Sequence, residues 1–203
     1  PDTRKTFIYN TFEKLMKAIS KSLKKNDPNH LNLGIRYGYI EQLDDELLRI
    51  SKESFDALSF NCYALSPDHE KMNHALEISG LPMIIGEYHF GTVDRGLAQS
   101  LWQVNSQKER GDAFQYYTEN AFAHRGLIGT GWFRWIDQNI NGRTDGENYN
   151  CGFIDVTDRP YPYMVDAAIE AAKSLYEIHS GTKTPFHQAP NAVGHSPIPD
   201  LWE

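Results

Sequence analysis

Four short apolar runs, each followed by a stretch of helical periodicity, set narrow limits on what this chain can fold into. The runs cover residues 31–36, 55–60, 82–91 and 126–135. Behind them, apolar residues recur at steps of three and four: Leu43, Leu47 and Ile50; Met72, Ala75 and Leu76; Phe114, Tyr117 and Ala121; Val165, Ala168, Ala172 and Leu175. That spacing places each set on one face of a helix. Phe12, Leu15, Met16, Ile19 and Leu23 predict a further helix over residues 10–25, ahead of the first run, with Pro28 as its breaker. Gly80 and Gly181 are the stops of the third and last helices.

Short apolar strands separated by helices belong to a parallel sheet covered by those helices. A doubly wound sheet would carry a glycine-rich phosphate loop after its first strand, and none follows residue 36. A complete (β/α)8 TIM barrel needs about 250 residues and eight strands. This chain has 203 residues. One helix followed by four strand–helix units therefore predicts an α/β fold equivalent to the C-terminal half of such a barrel, strands five to eight. Residues 1–181 form the half barrel, and residues 182–203, rich in Pro, Gly and His, form an extended tail. A half barrel has two unpaired edges and an uncovered interior. An N-terminal half barrel or a second copy of the chain is expected to close it.

Charge and composition remove other classes. A net charge of −7 argues against nucleic acid, whose phosphates call for clustered Lys and Arg. No run approaches the ~20 apolar residues of a membrane-spanning helix. No signal peptide is visible, which by itself assigns no compartment. Cys62 and Cys151 make neither a disulfide framework nor a zinc pattern, and their pairing stays open. Asp68, His69 and His74 have poor ligand spacing, so no metal is expected.

In a barrel the chemistry sits at the C-terminal strand ends. That rule selects Arg36, Tyr37, Asn61, Tyr63, Glu87, His89, Trp132, Arg134, Trp135 and Asp137, with the loop 141–148 after the last strand. Glu87 has two readings, a strand-end carboxylate paired with Arg95 or a nucleophile at the barrel mouth. Tyr63 is either a core aromatic or a hydrogen-bond donor to that carboxylate. Trp132 and Trp135 are three apart and should face opposite sides of a strand. Asp137, Gln138, Arg143, Asp145, Glu147 and Asn148 are either a binding loop or a self-satisfied turn, with Glu147 standing out.

Several motifs then occur in order: Ser59-Phe-Asn-Cys-Tyr63; Ile85-Gly-Glu-Tyr-His-Phe-Gly91 with Asp94-Arg-Gly96; and Trp132-Phe-Arg-Trp-Ile-Asp-Gln138 with Gly142-Arg-Thr-Asp-Gly-Glu-Asn148. From about residue 10 to 180 the chain resembles the C-terminal half of glycoside hydrolase family 50, the β-agarases of clan A. The resemblance implies retaining hydrolysis of a β-linked, galactose-containing polysaccharide or oligosaccharide by two carboxyl groups ~5–5.5 Å apart. It makes Glu87 the nucleophile, Tyr63 its positioning donor and Trp135 the platform under the sugar. His89, Asn61, Asp137 and Glu147 are the other candidate sugar-binding residues. The acid/base glutamate would end strand four, outside this sequence, so the isolated chain is expected to be inactive. No cofactor is implied. An enzyme of this kind from a polysaccharide-degrading bacterium would be secreted or periplasmic. The alternative is a non-catalytic carbohydrate-binding or scaffold remnant of a barrel.

Overall fold

The computed structural model describes residues 2–195 and divides into two compact units. The first comprises residues up to Asn61, Asp68–Gly86 and Gly126–Gly129; the second comprises Cys62–Pro67, Glu87–Arg125 and the chain from Thr130 onward.

The first unit opens with α1 (Thr3–Asn26). It starts earlier than the apolar spacing predicts because Asp2 caps it, its carboxylate accepting from the Arg4 amide. Phe7 and Ile8 lie in this added stretch and are exposed, as are Leu15, Ile19 and Leu23 of the stripe that predicts the helix. Strand β1 is only Arg36–Tyr37, not 31–36. Asn32 explains the difference. Its amide donates to the Asp56 carboxylate, its side chain donates to the Ser54 carbonyl, and its Oδ1 accepts from the Gly34 amide. Those bonds hold residues 32–34 outside the ladder, with Gly34 at φ 71°, where a Cβ would meet the Phe55 ring. A 3-10 turn (Ile40–Gln42) leads to α2 (Asp45–Ser54), β2 (Leu58–Asn61) and α3 (His69–Ser79). Asp44 and Asp68 cap the two helices, and Gly80 closes α3 in the left-handed region at φ 66°. Met16, Ile50 and Phe55 form one buried cluster of this unit, with Tyr9, Phe12 and Leu81 packed on it.

The main sheet has the order β1-β2-β3-β5, with β3 at Met83–Tyr88 and β5 at Leu127–Trp132. β1 and β2 are parallel, Arg36 opposite Ser59 and Tyr37 opposite Phe60. The sheet is thus parallel and built in an α/β chain, with its first and last strands at the edges. β3 and β5 each contribute residues to both units.

The second unit adds β4 (Trp102–Gln103), α4 (Gln107–Phe122), α5 (Pro162–His179) and β6 (Val193–Gly194). Pro162 at the start of α5 has the fixed φ that suits a first helical turn. Tyr88 stacks on Tyr117 of α4 at 4.1 Å, and Trp132 meets Tyr88 edge-on at 5.2 Å. In the expected tail, residues 193–194 pair antiparallel with β4, and 196–203 lie outside the described residues. No helix of the described residues is long and apolar enough to cross a membrane.

Gly111 shows how tightly α4 and α5 meet. A Cβ there would lie 2.5 Å from the Tyr163 carbonyl oxygen, which is backbone and cannot swing away. A Cβ on Gly129 would meet only Ile84, at an ordinary 3.7 Å. Gly111→Ala is therefore expected to lose about 1–3 kcal/mol in urea unfolding, despite the better helix propensity of alanine. Gly129→Ala should change stability by less than about 1 kcal/mol.

Candidate active site

Glu87 sits one residue before the end of β3. Met83, Ile85 and Tyr88 are the buried positions of that strand, so its two-residue alternation slips by one between Ile85 and Tyr88. The slip sends Tyr88 into the aromatic core and leaves Glu87 half-buried. Next to it, Gly86 lacks the Cβ that would otherwise collide with the Arg36 side chain.

The segment after β2 brings Tyr63 to Glu87. The Cys62 amide donates to the Glu87 carbonyl at 2.9 Å, and the Cys62 carbonyl accepts from the Tyr117 hydroxyl at 2.7 Å. With its backbone neighbour held on both sides, Tyr63 donates its hydroxyl to Glu87 Oε2 at 2.7 Å. Burial, and then the bond to Glu87, raise the Tyr63 phenol far above its ordinary value, so it keeps its proton and remains a donor. Arg95, the alternative partner for Glu87, lies instead against Asp94 at 3.9 Å and over the Tyr161 ring.

His89, an expected sugar-binding residue, lies in the interior. It is 1% exposed, and both ring nitrogens are engaged. Nε2 accepts from the Leu101 amide at 3.1 Å, which leaves Nδ1 to carry the proton and donate to the Phe133 carbonyl at 3.0 Å. No ring nitrogen is left for a sugar hydroxyl. Burial, with the Arg110 charge adding to it, pushes its pKa from the ordinary 6.5 down to about 3, against the raising effect of the Phe133 bond.

Asp137, another expected sugar-binding residue, is 3% exposed and turned inward. Its carboxylate accepts from the Gly152 amide at 2.7 Å, the Asn150 side chain at 2.9 Å and the Tyr161 hydroxyl at 2.6 Å. Arg110 serves the same cluster from α4. It donates to the Asn150 and Gly152 carbonyls at 2.9 and 2.8 Å, with its guanidinium 4.4 Å over the Tyr161 ring. Gln107 reaches Asn150 at 2.8 Å, Asp94 at 2.7 Å and Thr92 at 3.0 Å. Sequence reasoning missed Arg110 and Gln107, although the stripe of Phe114, Tyr117 and Ala121, continued backward by four and seven residues, lands on them.

The remaining candidates divide. Trp135 is 69% exposed, with its ring 6.0 Å from that of Phe153. Trp132 is packed, its indole N–H donating to the Cys151 carbonyl at 2.7 Å. The Phe133–Arg134 peptide between them is cis. Glu147 is half-buried, accepting from Gln138 Nε2 at 2.8 Å and pairing with Arg143 at 3.3 Å, while Arg143 also pairs with Asp145. That part of the loop satisfies itself. Asn61 ends β2, half-buried. Cys62 and Cys151 are buried and not joined in a disulfide, and burial pushes the Cys151 thiol up to about 12. Among the described residues no three His, Cys, Asp or Glu side chains are arranged to hold a metal ion.

Two measurements follow from this geometry. Asp137→Ala takes away the acceptor that three buried donors share and the opposite charge that acts most on Arg110, and is expected to cost about 3–5 kcal/mol in urea unfolding. Glu170→Ala, which breaks only the exposed pair with Lys173, should stay within about 0.5 kcal/mol. His89 takes up its proton near pH 6.5 when unfolded but only near pH 3 when folded, so acid favours the unfolded chain through this group. Between those values it should contribute a loss of about 1.4 kcal/mol for each pH unit of acidification. Subtracting the His89→Gln stability profile from that of the parent should show that slope.

No protein-family model matches the chain. It is 36% identical over 166 residues to β-agarase A of Vibrio sp. strain JT0107, covering 78% of this chain and 16% of that protein. The solved structure of PfGH50B superposes with a TM-score of 0.78 at 36% identity, over 82% of this chain and 24% of that one. A structure of an exo-β-agarase superposes with a TM-score of 0.77 at 34% identity, over 83% and 23%. The chain therefore spans well under half the length of these relatives. By sequence and backbone together, it belongs with the agarase-like proteins of glycoside hydrolase family 50, as a fragment of their length.

Proposed function

We propose that this segment supplies the nucleophile side of a retaining glycoside hydrolase acting on β-linked, galactose-containing polysaccharide or oligosaccharide. In this reading β1, β2, β3 and β5 are strands five to eight of a (β/α)8 barrel, and residues 1–181 belong to its C-terminal half. The observation that carries the reading is the 2.7 Å bond from Tyr63 to Glu87 at the C-terminal end of β3, in a chain 36% identical to a β-agarase.

A carboxylate nucleophile must stay ionised and hold one orientation toward the anomeric carbon. The Tyr63 hydroxyl serves the second need, since it donates to one carboxylate oxygen and is itself tied down through Cys62. Glu87 attacks the anomeric carbon as the leaving oxygen takes a proton from the acid/base carboxyl, giving a glycosyl-enzyme ester. Water activated by that same carboxylate then cleaves the ester, with retention. The acid/base residue lies outside these residues, on an N-terminal half barrel that also completes the sheet. The exposed Trp135 indole offers an apolar face to a sugar ring. Glu147, half-buried beside Arg143, is assigned to sugar hydroxyls. Asp137 and His89 are assigned to support instead.

The test joins the chain to the preceding half of its barrel and assays agaro-oligosaccharides and aryl β-galactosides. Glu87→Gln should lower kcat by at least about a thousandfold. Tyr63→Phe, which removes one donor, should lower it roughly a hundredfold. The chain alone should be inactive. An active Glu87→Gln enzyme would reject the nucleophile assignment. Sugar binding without hydrolysis in the completed protein would instead favour a carbohydrate-binding remnant.

A further inference from the structure

We infer that His89 is a positioning residue for the Tyr63–Glu87 pair, and that the strand formed by residues 193–194 braces it. The inference rests on the reading of Glu87 as nucleophile.

A continuous series of contacts carries it. The His195 amide donates to the Leu101 carbonyl at 2.7 Å. The Leu101 amide donates to His89 Nε2 at 3.1 Å, and His89 Nδ1 donates to the Phe133 carbonyl at 3.0 Å. The His89 ring meets the Tyr63 ring edge-on, 4.8 Å between centroids, and Tyr63 donates to Glu87. Leu101 is held from both flanks of the chain. Trp102 and Gln103 pair with Gly194 and Val193, while Gly91 donates to the Trp102 carbonyl and accepts from the Val104 amide, both at 2.9 Å. Gly194 makes the strand's approach possible, because a Cβ there would press on the Trp102 indole at 3.0 Å.

The site needs a histidine for a chemical reason. One flat ring must accept from an amide on one edge, donate to a carbonyl on the other and present an apolar rim to Tyr63. Neutral imidazole does all three. The groups facing it are the Tyr63 and Tyr149 rings and the Arg110 charge, none of which favours a proton on Nε2. Its burial and two engaged nitrogens separate this role from that of a proton shuttle or a sugar ligand. It acts through Tyr63.

The first test is nitrogen-15 NMR of the histidine-labelled chain. His89 should be in the Nδ1–H tautomer and unchanged from about pH 5 to pH 8, a range in which an ordinary histidine titrates. A His89 that titrates near 6.5, or that carries its proton on Nε2, overturns the proposal. The second test uses the completed enzyme. His89→Phe keeps a ring but loses both hydrogen bonds, and should lower kcat by about 10- to 100-fold with KM within threefold. His89→Gln, whose Oε1 can still accept from Leu101, should recover part of the loss. Removal of residues 193–203 should lower kcat in the same direction, again at constant KM. A folded His89→Phe enzyme with kcat within threefold of the parent overturns the proposal, as does a rise in KM alone. Glu87→Gln in the same assay separates the two levels: if it is active, the nucleophile reading has failed; if it is inactive while His89→Phe is not, only the present inference has.

Discussion

A carboxylate at the end of an apolar strand is held in one direction when a neighbour donates a hydrogen bond to it. In this chain the donor is Tyr63, and most of the second unit can be understood as what keeps that phenol in place. Its neighbour Cys62 is bonded to the end of β3 on one side and to Tyr117 of α4 on the other. Tyr117 in turn stacks on Tyr88, the residue after Glu87. The donor and its acceptor therefore share one aromatic support, and a displacement of one side would displace the other with it.

The loop after β5 depends on a different device. Arg110 and Asp137 are both buried, and each is satisfied mainly through groups they share: Asn150, Gly152 and Tyr161. Burying charges costs several kcal/mol per ion unless their hydrogen-bonding capacity is filled. Here backbone carbonyls, a backbone amide and two side chains fill most of it. The reward is geometric: a long connection with little regular structure is fixed to α4 at Asn150 and Gly152.

Much of this was legible in the sequence. The helices followed from apolar spacing, the stop at Gly80 from its freedom at positive φ, and the four-strand order from apolar runs between helices. The strand-end rule brought Glu87 and Tyr63 onto one short list, and they are hydrogen-bonded. What the pattern concealed has physical causes. Strand β1 shrinks because Asn32 offers the backbone better partners than a ladder does. Strands β4 and β6 are two residues each, too short for any periodicity. The slip in β3 follows from the packing of Tyr88, which no local rule encodes. His89 and Asp137 look like solvent-facing polar residues because sequence shows a polar side chain but not the carbonyls and amides that surround it.

The pairing of β6 with β4 also has a kinetic consequence. His195 bonds to Gln103 across 92 positions, so this contact closes one of the longer loops of the chain. Contacts of large sequence separation pay their closure entropy before they are rewarded, and they tend to form late. The last stretch of backbone to find its place would then be the one that braces Leu101, and the chemistry would come into register only after the rest of the unit has already set.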